Sequence, residues 1–290
     1  MNNFLKNKVF AFDLDGTLVN SKKELLPSSK EAIFELINNG AHIVLVSGRT
    51  YEGVLPIAQK LELDKNGGFI CSYNGGLIKN PTDGKIIFDK KFSYEETKEI
   101  HDFLSLNNIS SITYKNKDIL TTDEINEYML YEEKCLGVNV KKVPSLDLYI
   151  RDGVNKLLGT DKPEKINGII GLLKNRFPYI EAYTSAEFFL EITPKGIMKS
   201  TSLKILLDSL NLTQNDLFAF GDGNNDISML DFAHTSIVME NASEEVKKHG
   251  KYITHSCDED GISYAINKIN TSCCFWSLCF HSNFADWTCS

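Results

Sequence analysis

Nowhere in the 290 residues do about 18 uncharged apolar residues follow one another, the length a membrane-spanning helix requires. A helical membrane protein is therefore not expected. Positive charge is also short: 31 Lys and Arg stand against 39 Asp and Glu, a net charge of -8. That balance argues against a surface built to track nucleic-acid phosphates. A small anionic substrate stays open, because a metal ion or one placed lysine reverses the local field. Cysteine is sparse where a disulfide scaffold would need it: of seven, only Cys71, Cys135 and Cys257 precede residue 271. They lie far apart, so the body of the chain reads as reduced and cytoplasmic. Met1 to Lys8 holds no apolar run with a small-residue cleavage site, and no export signal is expected. The six histidines form no cluster and are assigned to packing or the surface.

Residues 271–290, TSCCFWSLCFHSNFADWTCS, break this pattern with four Cys, both Trp and one acidic residue, Asp286. Cys273, Cys274, Cys279 and Cys289 offer no CxxC pair and His281 stands alone, which counts against zinc. Trp287 sits where a prenylated cysteine would have to be. The main reading is a disordered or non-native extension, with reversible acylation or weak interfacial attachment as the lesser alternative.

What is present is ordinary for a folded protein: 42% apolar and 24% charged residues, in a length that suits two uneven domains. Val9 to Phe12 and His42 to Val46 are β-rich apolar runs, each ending abruptly in a polar cluster. Between them Ser28 and Glu31 form a capping-box pattern, with Ile33, Leu36 and Ile37 on one helical face and Gly40 as a stop. Strand, helix, strand in this order is a βαβ unit of a parallel sheet. A helix over Tyr51 to Leu61 and a strand over Gly68 to Ser72 extend it. From about Gly84 the texture changes. IIFDKKF, SSITYKNKDILTT and LDLYIR alternate as half-polar strands, with helices expected over Tyr94 to Leu106, Asp123 to Cys135 and Pro163 to Phe177. After Pro194-Lys195-Gly196 the first rhythm returns, with strands at Leu217 to Phe220, Ser236 to Val238 and Tyr252 to Thr254. The expected fold is α/β: a Rossmann-like parallel-sheet core, residues 1–82 and 192–270, with an inserted α+β cap, residues 83–191. Asn80-Pro81-Thr82 and Thr193-Pro194-Lys195-Gly196 are the expected hinges.

In open parallel sheets, ligands bind beyond the carboxyl ends of the strands. Asp13-Leu14-Asp15-Gly16-Thr17, Ser47-Gly48-Arg49 and Gly221-Asp222-Gly223-Asn224-Asn225-Asp226 fall there, and Lys199 opens the helix after the insert. Asp13 and Asp222 are suited to a hard divalent cation such as Mg2+. With phosphate charge screened, Asp13 can attack phosphorus, while Asp15 protonates the leaving alkoxide and later activates water. Lys199, the Ser47 hydroxyl and the Gly48 N–H are placed to stabilise the equatorial oxygens. Taken singly, each element has a plainer reading: a β-turn with an Asx cap, a helix N-cap, a calcium-like loop lacking the EF-hand spacing, a solvated lysine.

Together, DLDGTL, SGR, Lys199 and GDGNND resemble the four motifs of the haloacid dehalogenase (HAD) superfamily, in order. The insert, YNGG at Tyr73 to Gly76 and TxxxDEDGI at Thr254 to Ile262 are similar to the Cof-type phosphatases with a large α/β cap, subclass IIB. The resemblance covers residues 8 to 269. It implies Asp13 as nucleophile, Asp15 as acid/base with its backbone carbonyl on Mg2+, Asp222 as metal ligand and Asp226 in support. Ser47, Gly48, Lys199 and Asn225 match phosphate or substrate contacts. Arg49 and Asn74 stand equally as substrate contacts or as braces of the core–cap hinge. Glu240, in Met239-Glu240-Asn241-Ala242, replaces the family's usual Gly. The expected activity is a Mg2+-dependent phosphoric monoester hydrolase acting through an aspartyl phosphate on small phosphorylated metabolites, such as sugar phosphates or phosphorylated cofactors. A phosphomutase of the same superfamily and a non-catalytic phosphometabolite sensor are the alternatives. Neither nucleic acid nor a membrane is an expected partner, and the chain is expected to be a monomer or homodimer.

Overall fold

Four consecutive apolar residues and an aspartate, VFAFD, are buried along their whole length as strand β1 (Val9–Asp13) in the computed structural model, which describes residues 4–272. A strand apolar on both faces belongs inside a parallel sheet, and β1 has a parallel neighbour on each side. The chain divides into two compact units: residues 4–47, 55–87 and 198–272 form the first, and residues 48–54 and 88–197 the second. The strands that follow β1 are β2 (His42–Val46), β3 (Phe69–Ser72), β4 (Leu77–Lys79) and β5 (Ile86–Asp89). Those of the second unit are β6 (Ser110–Lys115), β7 (Asp118–Thr121), β8 (Asn139–Lys142), β9 (Leu157–Thr160), β10 (Ile180–Ala186) and β11 (Phe189–Pro194). The chain then returns through β12 (Leu217–Gly221), β13 (Thr235–Met239) and β14 (Tyr252–Thr254).

The first sheet runs β14-β13-β12-β1-β2-β3-β4-β5, parallel from β14 to β3 and antiparallel at β4. Strand order reverses between β1 and β12, the switch point at which crossovers leave to opposite faces and open a crevice. The pair is held in register by ring stacking. Phe10 faces Phe218 and Phe12 faces Phe220 across the ladder, with ring centroids 4.6 Å and 4.7 Å apart. One residue beyond these stacks, β1 ends in Asp13 and β12 in Gly221, followed by Asp222.

In the second unit the order is β10-β11-β9-β6-β7-β8, antiparallel except for the β7–β8 pair. Helices Tyr94–Leu106 and Pro163–Arg176 bury Ile100, Leu104, Ile166, Ile169 and Leu173 in one core with Leu157, Ala182, Leu190 and Ile192. Charge is nonetheless buried in this unit. Lys156 Nζ lies 3.1 Å from Glu191 Oε2 and 4.7 Å from the Tyr114 ring centroid, and Ser185 Oγ donates to Glu191 Oε1. Removing one member strands the other, so Lys156→Met is expected to cost about 3–5 kcal/mol in urea unfolding. Lys156→Met/Glu191→Leu should recover most of that loss. A single-variant loss below about 1 kcal/mol would place the pair among ordinary surface ion pairs.

Three local expectations need correction. Ser28 does not cap a helix: the helix Pro27–Asn38 starts earlier, with Leu26 at the N-cap and proline in its first turn, while the Ser28 hydroxyl donates to Asp260. Proline's fixed φ and missing N–H suit that first turn without a side-chain cap. LDLYIR is not a strand. Tyr149 N and Ile150 N both donate to the Leu146 carbonyl, which buries Leu146 and Ile150 together and leaves Leu148 exposed. The helix expected from Asp123 begins at Glu127, because Asn126 caps it by accepting from Met129 N, and Asp123 accepts from Ser111 N instead. The helix Gly261–Ser272 closes the described chain, and the expected extension from residue 273 onward lies outside the described residues. Cys71, Cys135 and Cys257 are free. Among the described residues no helix is long and apolar enough to cross a membrane.

Candidate active site

The central group is a buried cation between two buried carboxylates. Lys199, first residue of the helix Lys199–Ser209, places Nζ 2.6 Å from Asp13 Oδ1 and 2.5 Å from Asp226 Oδ1, with its side chain fully buried. Asp226 spends its other oxygen on the backbone, accepting from Asp222 N at 3.0 Å and Gly223 N at 2.9 Å. This arrangement folds the loop after β12 around the Asp226 side chain. Asp222 in turn accepts from Thr17 Oγ1 at 2.7 Å, which joins the loop after β12 to the loop after β1.

That junction requires a glycine. Gly16 has φ +81°, and a Cβ on it would lie 2.3 Å from Asp222 Oδ2, so the aspartate packs directly on the turn backbone. A second close approach holds the loop after β3. Gly75, at φ +109°, would put a Cβ 2.7 Å from the Met198 carbonyl, immediately before Lys199. Asn74, left-handed at φ 54°, accepts at Oδ1 from Asn225 Nδ2 at 3.1 Å, and its N–H donates to the Ser47 carbonyl. Ser47, buried at the end of β2, donates its N–H to the Cys71 carbonyl. Burial pushes the Cys71 thiol up to about 11, against its contact with Ser202 Oγ, so it serves as packing.

The first unit thus brings together Asp13, Asp222, Asp226 and Lys199, with Ser47, Asn74 and Asn225 linked by hydrogen bonds. Gly48 and Arg49 group with the second unit. Asp15 Oδ1 pairs with Lys23 Nζ at 2.6 Å, and Val19 bridges Asp15 in parallel and Leu25 in antiparallel fashion. Three residues of this neighbourhood had no role in the sequence reading: Thr17, Lys23 and Asn241. Thr17 was within reach, lying inside DLDGTL. Glu240, where the family usually has glycine, is exposed and donates its N–H to the His255 carbonyl.

Electrostatics favour a divalent cation here. Asp13, Asp222 and Asp226 each offer an oxygen, all within 4.8 Å of one another. Three ionised carboxylates beside one ammonium would carry a net charge of -2, and hard oxygen donors are what Mg2+ takes. Burial foremost, then the charge of Asp226, raises the Asp13 carboxyl well above the usual carboxylate range. Burial also pushes Asp222 up to about 6, opposed by the Thr17 bond and helped by the Asp226 charge. Burial works against charge on Lys199 too, but Asp13 and Asp226 outweigh it and hold it above the ordinary lysine value.

The Asp222 shift fixes a sign. Between the ordinary Asp value and about 6, the folded metal-free chain keeps a proton that the unfolded chain has lost. Its contribution to stability is full below pH ~4 and is lost as pH rises through about 6, on the order of 2 kcal/mol in all. In EDTA, melting temperature should therefore fall less steeply with pH in Asp222→Asn than in the parent. Equal slopes would contradict the assignment.

Known proteins resemble this chain in sequence and fold. The model of the haloacid dehalogenase-like hydrolase family matches residues 10–266. A Streptococcus pyogenes serotype M6 protein with a provisional phosphatase name is 30% identical over 268 residues, 90% of this chain and 97% of its own. A haloacid dehalogenase-like hydrolase from Bacteroides thetaiotaomicron superposes with a TM-score of 0.86 at 35% identity, covering 91% of this chain and 100% of that one. The HAD subclass IIB sugar phosphatase BT4131 gives a TM-score of 0.77 at 25% identity, with coverage of 91% and 99%.

Proposed function

The chain belongs to the haloacid dehalogenase-like hydrolases, and we propose that it is a Mg2+-dependent phosphatase of small phosphorylated metabolites, sugar phosphates foremost, working through a phosphorylated Asp13. The observation that carries this reading is the Lys199 ammonium shared by Asp13 and Asp226 beside Asp222. Lys199 holds Asp13 Oδ1, so the second oxygen, Oδ2, is the one to attack phosphorus. The bond from phosphorus to the ester oxygen breaks, and the leaving alkoxide takes its proton from Asp15. Asp15 then accepts a proton from water as that water attacks the phosphoaspartate, which releases phosphate and restores the Asp13 carboxylate. Asp13, Asp222 and the Asp15 backbone carbonyl would hold Mg2+, with Asp226 in support. When bound, the ion neutralises charge shared between phosphate and Asp13. Ser47, Gly48 and Lys199 bind the phosphate oxygens, while Asn225, Asn74 and Arg49 complete the substrate contacts.

Residues 83–191 serve as the cap that selects the leaving group, and the reducing cytoplasm is the setting that the free cysteines suit. The deciding test is phosphate release from a panel of phosphorylated metabolites with Mg2+, together with mass spectrometry of acid-quenched protein. Phosphate release and a phosphoryl group on the peptide holding Asp13 are expected. Isomerised sugar phosphate in place of free phosphate would make the chain a mutase. Binding without turnover across the panel would make it a sensor.

A further inference from the structure

The late TxxxDEDGI segment is rich in carboxylates, yet none of them joins the acidic trio. Asp258 Oδ1 accepts from Ser21 N at 3.0 Å and Ser21 Oγ at 2.9 Å, and Asp260 accepts from Ser28 Oγ. Thr254 Oγ1 donates to the Gly261 carbonyl and closes the loop. Another bond leads to the site: Cys257 N donates to Asn241 Oδ1 at 2.9 Å. Asn241 Nδ2 donates to the Gly16 carbonyl at 2.9 Å and lies 3.2 Å from Asp222 Oδ2.

We infer that Asn241 is a positioning residue that pins the Asp222 carboxylate for the metal ion, and that the 254–261 loop sets its orientation. This role rests on the reading of Asp222 as a metal ligand. The amide admits one orientation. A backbone N–H can only donate and a carbonyl can only accept, so Oδ1 must face Cys257 and Nδ2 must face Gly16. The second hydrogen of Nδ2 is then directed at Asp222 Oδ2, while Thr17 Oγ1 donates to Oδ1. Each carboxylate oxygen receives one donor, and the close Gly16 backbone restricts rotation toward it. Acceptor capacity remains on both oxygens, in a plane fixed before a cation arrives. Asn241 is itself anchored, since the next residue, Ala242, is buried with Leu230, Val238 and Val246. Partners that orient a ligand in this way typically govern metal affinity.

The test is Mn2+ binding by electron paramagnetic resonance without substrate, on the full chain and on Asn241→Ala and Asn241→Ser. A bracing role alone would lower the melting temperature of the metal-free protein and leave metal affinity unchanged. The positioning role weakens Mn2+ binding by about 10–100-fold in both variants. Saturating Mg2+ should then return kcat to within about threefold of the parent. Folded variants that bind Mn2+ as tightly as the parent would overturn the role of Asn241 alone. A parent that binds no Mn2+ would overturn the metal reading together with this inference. Both variants unfolded before metal is added would reduce Asn241 to maintenance of the fold, which also overturns it.

Discussion

Asp13→Asn is expected to stay folded while kcat falls by more than about 1,000-fold, on the order of 4 kcal/mol of barrier. The substitution keeps the shape of the side chain and removes only the nucleophilic charge. Stability should move the other way from activity. Asp13 is buried beside Asp222 and Asp226, and its carboxyl is raised well above the ordinary range by burial and by Asp226. A neutral amide at this position relieves repulsion in the metal-free protein, so its melting temperature in EDTA at pH 7 should match or exceed the parent's. Single-turnover quench would also find no phosphoryl group on the chain. A variant keeping more than about a tenth of kcat, a change under 1.4 kcal/mol, would remove the covalent route. A variant that is inactive and also unfolded would leave Asp13 with a packing role only.

The reason Asp13 was legible in the sequence is physical. A strand apolar on both faces cannot end in DLDGT by propensity, and three such strand ends with a lysine-led helix point to one face of one sheet. The structure brings Asp13, Asp222, Asp226 and Lys199 together on that basis. What escaped was of two kinds. Elements were misread where local pattern had two solutions. Ser28 and Glu31 match a capping box, but Pro27 starts the helix without one. Leu146 and Ile150 fit an alternating strand and equally a tight turn that buries residues four apart. Strand β11 went unread because FLEITP ends in a proline that suggested only a boundary. The other kind was distance along the chain. Asn241 meets Gly16 across 225 positions through a single amide, and nothing in either segment's composition announces the other. Lys23, which pairs with Asp15, looks in sequence like one more charged residue of a turn. Side chains that complete a site from remote loops carry no periodicity and become visible only in coordinates.

Lys199→Met should show the largest combined effect. The side chain keeps its aliphatic reach, one atom shorter, but no longer carries the ammonium, so Asp13 and Asp226 face each other without compensation, both buried. Breaking a buried ion pair from one side costs about 3–5 kcal/mol, and here one cation serves two anions. The loss depends on pH, with a definite sign. Without Lys199, nothing opposes the burial and the Asp226 charge that already raise the Asp13 carboxyl, so the folded variant holds its proton to higher pH than the unfolded chain. Its stability is therefore best in acid and declines as pH rises. Urea unfolding at pH 5 and pH 8 should show a wider gap between variant and parent at pH 8. Adding Asp226→Asn removes one of the two stranded carboxylates and should recover much of the stability. It cannot restore activity, because the group that holds Asp13 Oδ1 and meets the phosphate oxygens is still missing. Separation of the two readouts in the double variant distinguishes a catalytic lysine from a structural one. If the double variant regains kcat along with stability, Lys199 acts on the fold alone and the phosphate must find its cation elsewhere.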